Sequence, residues 1–447
     1  MPYIYHSEDE IKQMLAFLGM RSEKELFERI PAQYLVKESL PIDEGKTESD
    51  TLRYFDGLSA KNEPASSYAS FLGGGIYDHE IPSVVDHLAG RPEFYTAYTP
   101  YQPEVSQGTL QMIFEFQTLI SRMVGLPVAN ASMYDGATAL AEAALMAAKI
   151  TGRNTILVPD SVNPRYREVL KTYCWGKSLK LVSFPFSETG QIEAEALNRS
   201  LDISVAAVVV QTPNYFGVLE KPWEVREMME SAGSLLISVV DPISLSLFRP
   251  PGDYGADIAA GEGQCLGSPP SCGGPLLGFI ASKQDFIRNM PGRIVSRTKD
   301  VSGKDAYVLT LQTREQHIRR EKATSNICTN QGMLALRATI HLSVIGEEGF
   351  QQKAAICYQK AHGLAEMISA CPGYSIKFEG PFFREFVVEC PVDAEHVAAR
   401  MKESGILAGI PLGSYFGDWA KNCLLVALTE KRTDSELEAY CAFLKKG

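Results

Sequence analysis

Residues 205–242 read VAAVVVQTPNYFGVLEKPWEVREMMESAGSLLISVVDP, and this stretch decides the fold. It opens on an unbroken apolar run, Val205–Val210, rich in β-branched residues. A run that is apolar at every position suits a strand covered on both faces. KPWEVREMMESAG follows with helical composition, Pro222 near its start and Gly233 at its end, the usual order of a helix start and stop. SLLISVVDP then returns as a second buried strand. Strand, helix and strand in that order define a parallel sheet with helices packed on it.

The alternation extends in both directions. Upstream, TILVPD and LKLVSFPF read as strands, and NPRYREVLKTYCWG and EAEALNRS as helices. Downstream, DIAAGEGQ and GPLLGFIAS read as two further strands, the second turned antiparallel. Before the alternation, TLQMIFEFQTLISRMVGL is an amphipathic helix, and a second helix begins near Gly136 and ends at Gly152. The charged stretch 284–330 is expected to be helical. From 331 a long helix leads to short strands within FFREFVVEC and CLLVALT. The expected fold class is α/β, with a mainly parallel sheet in a large domain (71–330), a helical N-terminal arm (1–70) and a smaller α+β C-terminal domain (331–447). Ser7 and Glu10 carry the spacing of a helix capping box in the arm.

Composition excludes several functions. The 447 residues are 45% hydrophobic and 22% charged, with a net charge of −11. That balance is of an ordinary globular protein and disfavours nucleic-acid backbones as partners. No apolar run reaches membrane-spanning length. MPYIYHSEDEIKQML has no basic-then-apolar leader layout. Nine cysteines without a CxxC pair read as reduced thiols, which suits a cytoplasmic protein without a zinc site.

In a doubly wound sheet ligands sit beyond the carboxyl ends of the strands. Two positions fit. Ser132, Asp135 and Gly136 precede a helix whose first amides suit a phosphate, although Asp135 reads first as a plain helix cap. Asp241 ends the strand SLLISVV, where pyridoxal-phosphate enzymes of this architecture place the partner of the pyridinium nitrogen. Such enzymes also need a lysine to form the Schiff base. Between Lys221 and Lys283 there is none, so this chain is not expected to hold the coenzyme covalently. No GxGxxG or GxxxxGK[ST] stretch supports a dinucleotide or nucleoside triphosphate.

A further candidate lies at 91–111, RPEFYTAYTPYQPEVSQGTLQ. Pro92, Pro100 and Pro103 rule out a helix interior, which leaves a stiff loop of amphipathic rings. Such rings suit interfaces and sites, or simply pack.

FLGGGIYDHEIP, EFYTAYTPYQPEVSQGTLQ, ANASMYDGATALAEAALMA and RREKATSNICTNQ together resemble the P-protein of the glycine cleavage system, over most of the chain. The sequence is similar to the alpha subunit of the form split into two chains. The catalytic half of that family carries a His-Lys pair before a glycine-rich run. In RPPGDYGADIAAGEGQCLGSPPSCGGP, Gln264 and Cys265 stand at those positions.

The resemblance implies the pyridoxal-phosphate fold type I and a glycine dehydrogenase (aminomethyl-transferring) acting as a heteromeric complex. It would decarboxylate glycine and pass the aminomethyl group to the lipoyl arm of the H-protein. The coenzyme would be held covalently by the partner beta subunit, in an assembly of two alpha and two beta chains. This chain would complete the site at the subunit interface. Tyr95 and Tyr98 would line its mouth with His79 and Glu104 near, and Thr324, Ser325 and Asn326 would reach the coenzyme phosphate in trans. Ser132 and Asp241 would mark a vestigial pocket. Two other readings stay open: an autonomous pyridoxal-phosphate decarboxylase using Lys283 or Lys299, and a non-catalytic structural homologue.

Overall fold

The structure is a computed structural model that describes residues 5–36 and 41–446. Residues 1–4 and 37–40 of the expected N-terminal arm lie outside the described residues. Contacts divide the chain into two units, 1–63 and 64–447.

In the first unit the helix Glu8–Leu18 carries the expected capping box. Ser7 Oγ accepts from the Glu10 amide, and the Glu10 carboxylate accepts from the Ser7 amide. A second helix, Glu48–Ser59, is capped by the Thr47 hydroxyl.

The second unit is built on a seven-stranded sheet: β1 (Val128–Ala129), β2 (Thr155–Pro159), β3 (Lys180–Phe184), β4 (Val205–Thr212), β5 (Leu235–Val240), β6 (Ile258–Glu262) and β7 (Gly278–Ser282). Their spatial order is β1-β7-β6-β5-β4-β2-β3. Strands β2 to β6 run parallel, and β7 lies antiparallel to both β6 and β1. The apolar run that opens the argument, β4, is buried from Val205 to Val210. Core side chains cover both faces. Leu140, Ala143 and Ala147 pack on one with Val158, Val209 and Ile237; Phe116, Ile120 and Leu334 pack on the other with Phe279.

The helix Gly136–Thr151 is rich in alanine, which lets it lie close to the sheet. Asp135 caps it by accepting from the Thr138 amide at 2.7 Å, so the capping reading of that residue holds. Gly152 ends it in the left-handed region, φ +68°.

The stretch 284–330 is not the helix expected. Ile294–Lys299 and Asp305–Thr310 form an antiparallel hairpin, and Gln316–Arg319 is a single helical turn. Asp300 accepts from the Ser302 and Lys304 amides to hold the turn, with Gly303 at φ +81°. The first strand is buried at Ile294 and Val295 and exposed from Arg297 to Lys299, so it carries no two-residue alternation to read.

Beyond it the helix Gly332–Ser369 breaks at Gly346. A four-stranded antiparallel sheet follows, ordered Ser375–Ile376, Glu385–Glu389, Cys423–Ala427, Ile410–Pro411. Its central strand starts one residue after Arg384, directly beside the carboxyl ends of β5 and β6.

Candidate functional site

Register places Val240 of β5 opposite Gly261 of β6, so the next residues, Asp241 and Glu262, emerge side by side. Asp241 Oδ1 accepts from the Ile243 amide at 3.0 Å and starts the turn Pro242–Ser246. Its other oxygen lies 2.6 Å from Arg384 Nη2. Glu262 is buried. Its Oε2 accepts from the Gly136 amide, and its Oε1 from the Gln264 and Leu277 amides, each at 2.9 Å. A Cβ on Gly136 would lie 2.2 Å from the Tyr166 hydroxyl, so only glycine fits where helix, ring and carboxylate meet.

Around these groups is a cavity of about 40 Å³, lined among others by Gly74, Tyr77, Asn163, Tyr215 and Glu385. That is room for roughly three waters.

Arg384 dominates the cavity's electrostatics. Its side chain is 1% exposed. The guanidinium lies over the Tyr77 ring, 3.5 Å from its centroid, and Nη1 donates to His79 Nε2. Burial alone would lower the arginine's pKa, but the Asp241 carboxylate holds it above its ordinary value. Since His79 accepts at Nε2, its proton sits on Nδ1 and is donated to Glu430 Oε2 at 2.6 Å. Burial, with the adjacent arginine, pushes the His79 pKa down, consistent with a neutral ring. Burial works against the Glu430 carboxylate, but the bond from His79 holds its pKa well below the usual range. Lys353 Nζ lies 3.4 Å from Glu430 and 3.4 Å from His341 Nε2.

The result is a buried chain from Asp241 through Arg384, His79 and Glu430 to Lys353. His79, Cys357 and Glu430 gather within 4.8 Å, but Arg384 and Lys353 already supply positive charge there.

The predicted site residues fall into four places, and Ser132 does not share the cavity of Asp241. Asp241 and His79 meet through Arg384. Tyr95 and Tyr98 stand on the surface, Tyr98 91% exposed, over a separate cavity of about 250 Å³ with Thr109, Asn330 and Met333. Neither His79 nor Glu104 lines that cavity; Glu104 is exposed in the turn Pro103–Val105. Thr324, Ser325 and Asn326 line a third cavity of about 210 Å³ with Glu142, Lys177 and Arg320. Ser132 is fully buried, and its Oγ accepts from the Gln331 amide at 2.8 Å, fixing the start of the long helix.

Sequence reasoning missed Arg384, Glu262 and Glu430. One signal was there: Arg384 interrupts the apolar run FFREFVV, and a charge in a buried strand requires a partner.

Among the described residues, no lysine lines the Asp241 cavity. Lys283 Nζ bonds Asp257 Oδ1 at 2.6 Å, and Asp257 also accepts from the Leu236 amide at the opposite end of β5. Five strand residues separate that end from Asp241, roughly 17 Å. Lys299 pairs with Asp305 at the exposed end of the hairpin.

The sheet order, the strand-tip aspartate and the small antiparallel sheet near the C-terminus define the fold type I architecture of pyridoxal-phosphate enzymes. Solved structures agree: a sphingosine-1-phosphate lyase of Burkholderia pseudomallei superposes with a TM-score of 0.67 at 14% identity, covering 93% of each chain. A crystal structure of glycine decarboxylase (P-protein) of the glycine cleavage system matches far better, with a TM-score of 0.89 and 43% identity over 100% of both chains. The family model for the glycine cleavage system P-protein matches residues 1–444, and the chain belongs to that family. Relatives named probable glycine dehydrogenase (decarboxylating) subunit 1 are similar throughout. The one from Moorella thermoacetica is 50% identical, covering 100% of this chain and 99% of its own. The one from Desulfitobacterium hafniense is 47% identical, covering 99% of each.

Pyridoxal phosphate is the coenzyme of this fold class, but the residues around Asp241 do not fit it. The space is too small, no amine faces it among the described residues, and the charges that would receive the coenzyme are already engaged.

Proposed function

We propose that this chain is the first subunit of a two-subunit glycine dehydrogenase (decarboxylating), working with a beta subunit that holds the coenzyme on its own lysine. The observation that carries the reading is the cavity beyond β5, which keeps the strand-tip Asp241 and, among the described residues, no lysine. Pyridoxal phosphate bound to the partner would stabilise the charge left when glycine loses carbon dioxide. The aminomethyl group would pass to the lipoyl arm of an H-protein. Two alpha and two beta chains, in the cytoplasm, form the complete assembly in this reading. Among the described residues no helix is long and apolar enough to cross a membrane.

The chain's own contribution is positional. Tyr95 and Tyr98 stand exposed on a proline-stiffened loop anchored on its C-terminal side. Gln107 fixes the loop to the hairpin, donating to Tyr307 O and accepting from Tyr307 N, both at 2.9 Å. Tyr101 is tied to Arg293. An exposed tyrosine held in this way can hydrogen-bond a carboxylate or flank an apolar arm at an interface. Glu104 sits on the same loop, and Thr324, Ser325 and Asn326 offer short polar groups toward a coenzyme phosphate across the interface. His79 acts on this chain's own network and not at that mouth. Residues 1–70, 71–330 and 331–447 are its arm, large domain and small domain.

The test is reconstitution with the candidate second subunit, measuring glycine–bicarbonate exchange, followed by borohydride reduction and peptide mass spectrometry. Exchange should require both chains, and the reduced phosphopyridoxyl adduct should sit on the partner. An adduct on any peptide of this chain in working enzyme would overturn the reading. Unaltered exchange by the partner alone would favour a purely structural role.

A further inference from the structure

We propose that Glu262 and Arg384 are built-in stand-ins for a coenzyme: the Glu262 carboxylate occupies the anion seat at a helix N-terminus and the Arg384 guanidinium the cation seat on Asp241, so the pocket is closed by the chain itself. The argument needs only this cavity and does not rest on the assembly proposed above.

Two neighbouring strand tips at this cavity each face a charge demand. The helix Gly136–Thr151 starts behind Glu262; Asp135 takes its Thr138 amide, which leaves the Gly136 amide directed at Glu262, a setting that favours an anion. Glu262 meets it, accepting from Gly136 there and from Gln264 and Leu277 beside it. The Tyr166 hydroxyl fills the space over Gly136. Beside it, Asp241 at the tip of β5 presents a carboxylate oxygen to the same cavity. Arg384 meets it at 2.6 Å. The flat face of the guanidinium lies on the Tyr77 ring, as a flat cationic ring would.

Burying charges is costly unless each is matched. Two separate matches on the neighbouring strand tips of one small cavity therefore point to a common cause. The fold keeps a helix terminus and a strand-tip carboxylate that require an anion and a cation, and the chain supplies both. Arg384 is in turn held by His79, whose other nitrogen is held by Glu430. The guanidinium is thus fixed from behind and cannot swing out to admit a ligand. Such a pocket excludes phosphate, coenzyme and amino-acid substrate alike, and its stability does not depend on any of them.

The test uses the full chain and pyridoxine 5′-phosphate, which has no aldehyde and so cannot attach to surface lysines. Equilibrium dialysis should find no saturable site on the wild-type chain. The Glu262→Ser/Arg384→Ala variant should gain one site, at least about tenfold tighter than any wild-type binding, and adding Asp241→Asn should weaken it. One-to-one binding by wild type overturns the proposal. So does a double variant that melts cooperatively but gains no site. Should the double variant not fold, Glu262→Ser alone decides: inorganic phosphate should raise its melting temperature and leave wild type unmoved. Equal response of the two, or none in the variant, overturns the proposal.

Discussion

Arg384 Nη2 lies 2.6 Å from Asp241 Oδ2, while Nη1 of the same guanidinium donates to His79 Nε2. One side chain from the small C-terminal sheet therefore neutralises the strand-tip carboxylate of the large sheet and fixes the tautomer of a histidine. Through Glu430 the arrangement continues to the long helix at Lys353. Three elements distant in sequence are joined by buried charges at the place where enzymes of this architecture hold their coenzyme.

Removing one member of a buried pair leaves the other uncompensated. Arg384→Met should lower unfolding stability by about 3–5 kcal/mol. Asp241→Asn in the same chain should recover part of that loss, because the stranded carboxylate is gone. Urea melts of the two variants give the coupling; strict additivity would mean that the two residues do not act as a pair.

His341 should make the chain acid-sensitive. Burial, with Lys353 nearby, pulls its pKa down from the usual 6.5 to about 3, so the folded state binds fewer protons than the unfolded state between those values. Its contribution to stability is present above pH 6.5 and is lost as pH falls towards 3. Over that window the loss is on the order of a few kcal/mol. His341→Gln should flatten the difference between melts at pH 7 and pH 4, and an unchanged difference would exclude this histidine as the cause.

Gly217 sits at φ +82°, and a Cβ there would lie 1.8 Å from the Glu385 carbonyl oxygen. Its carbonyl accepts from the Phe383 amide, so it holds the segment carrying Arg384 against the large sheet. Gly217→Ala should destabilise by more than about 1 kcal/mol, read as a lower melting temperature. It should also loosen protection of the Phe383 amide in hydrogen exchange.

Tyr98→Phe removes only a hydroxyl from a side chain 91% exposed. Stability should stay within about 0.5 kcal/mol, while glycine–bicarbonate exchange in the reconstituted complex should fall. An exchange rate equal to wild type would reduce the aromatic loop to scaffold. The triple substitution of Thr324, Ser325 and Asn326 by Ala should likewise weaken coenzyme retention by the complex without altering this chain's melt.

The sequence by itself determined the sheet, the capped helix beginning at Gly136, the aspartate at the tip of β5 and the lack of a lysine to serve it. Each of these is written in a local pattern: β-branched runs, a cap three residues before its amide, a residue type missing from a span. Only the tertiary structure decided what closes that site. Arg384, Glu262 and Glu430 come from separate elements, and their pairing depends on which strand ends converge, for which short-range periodicity carries no signal. The same limit hid the hairpin at 294–310, whose first strand is buried at one end and exposed at the other and so shows no alternation. It also moved His79 away from the tyrosines with which its position in the chain had grouped it. Neighbours along a chain share a loop, but a buried charge goes to whichever partner the packed fold brings near.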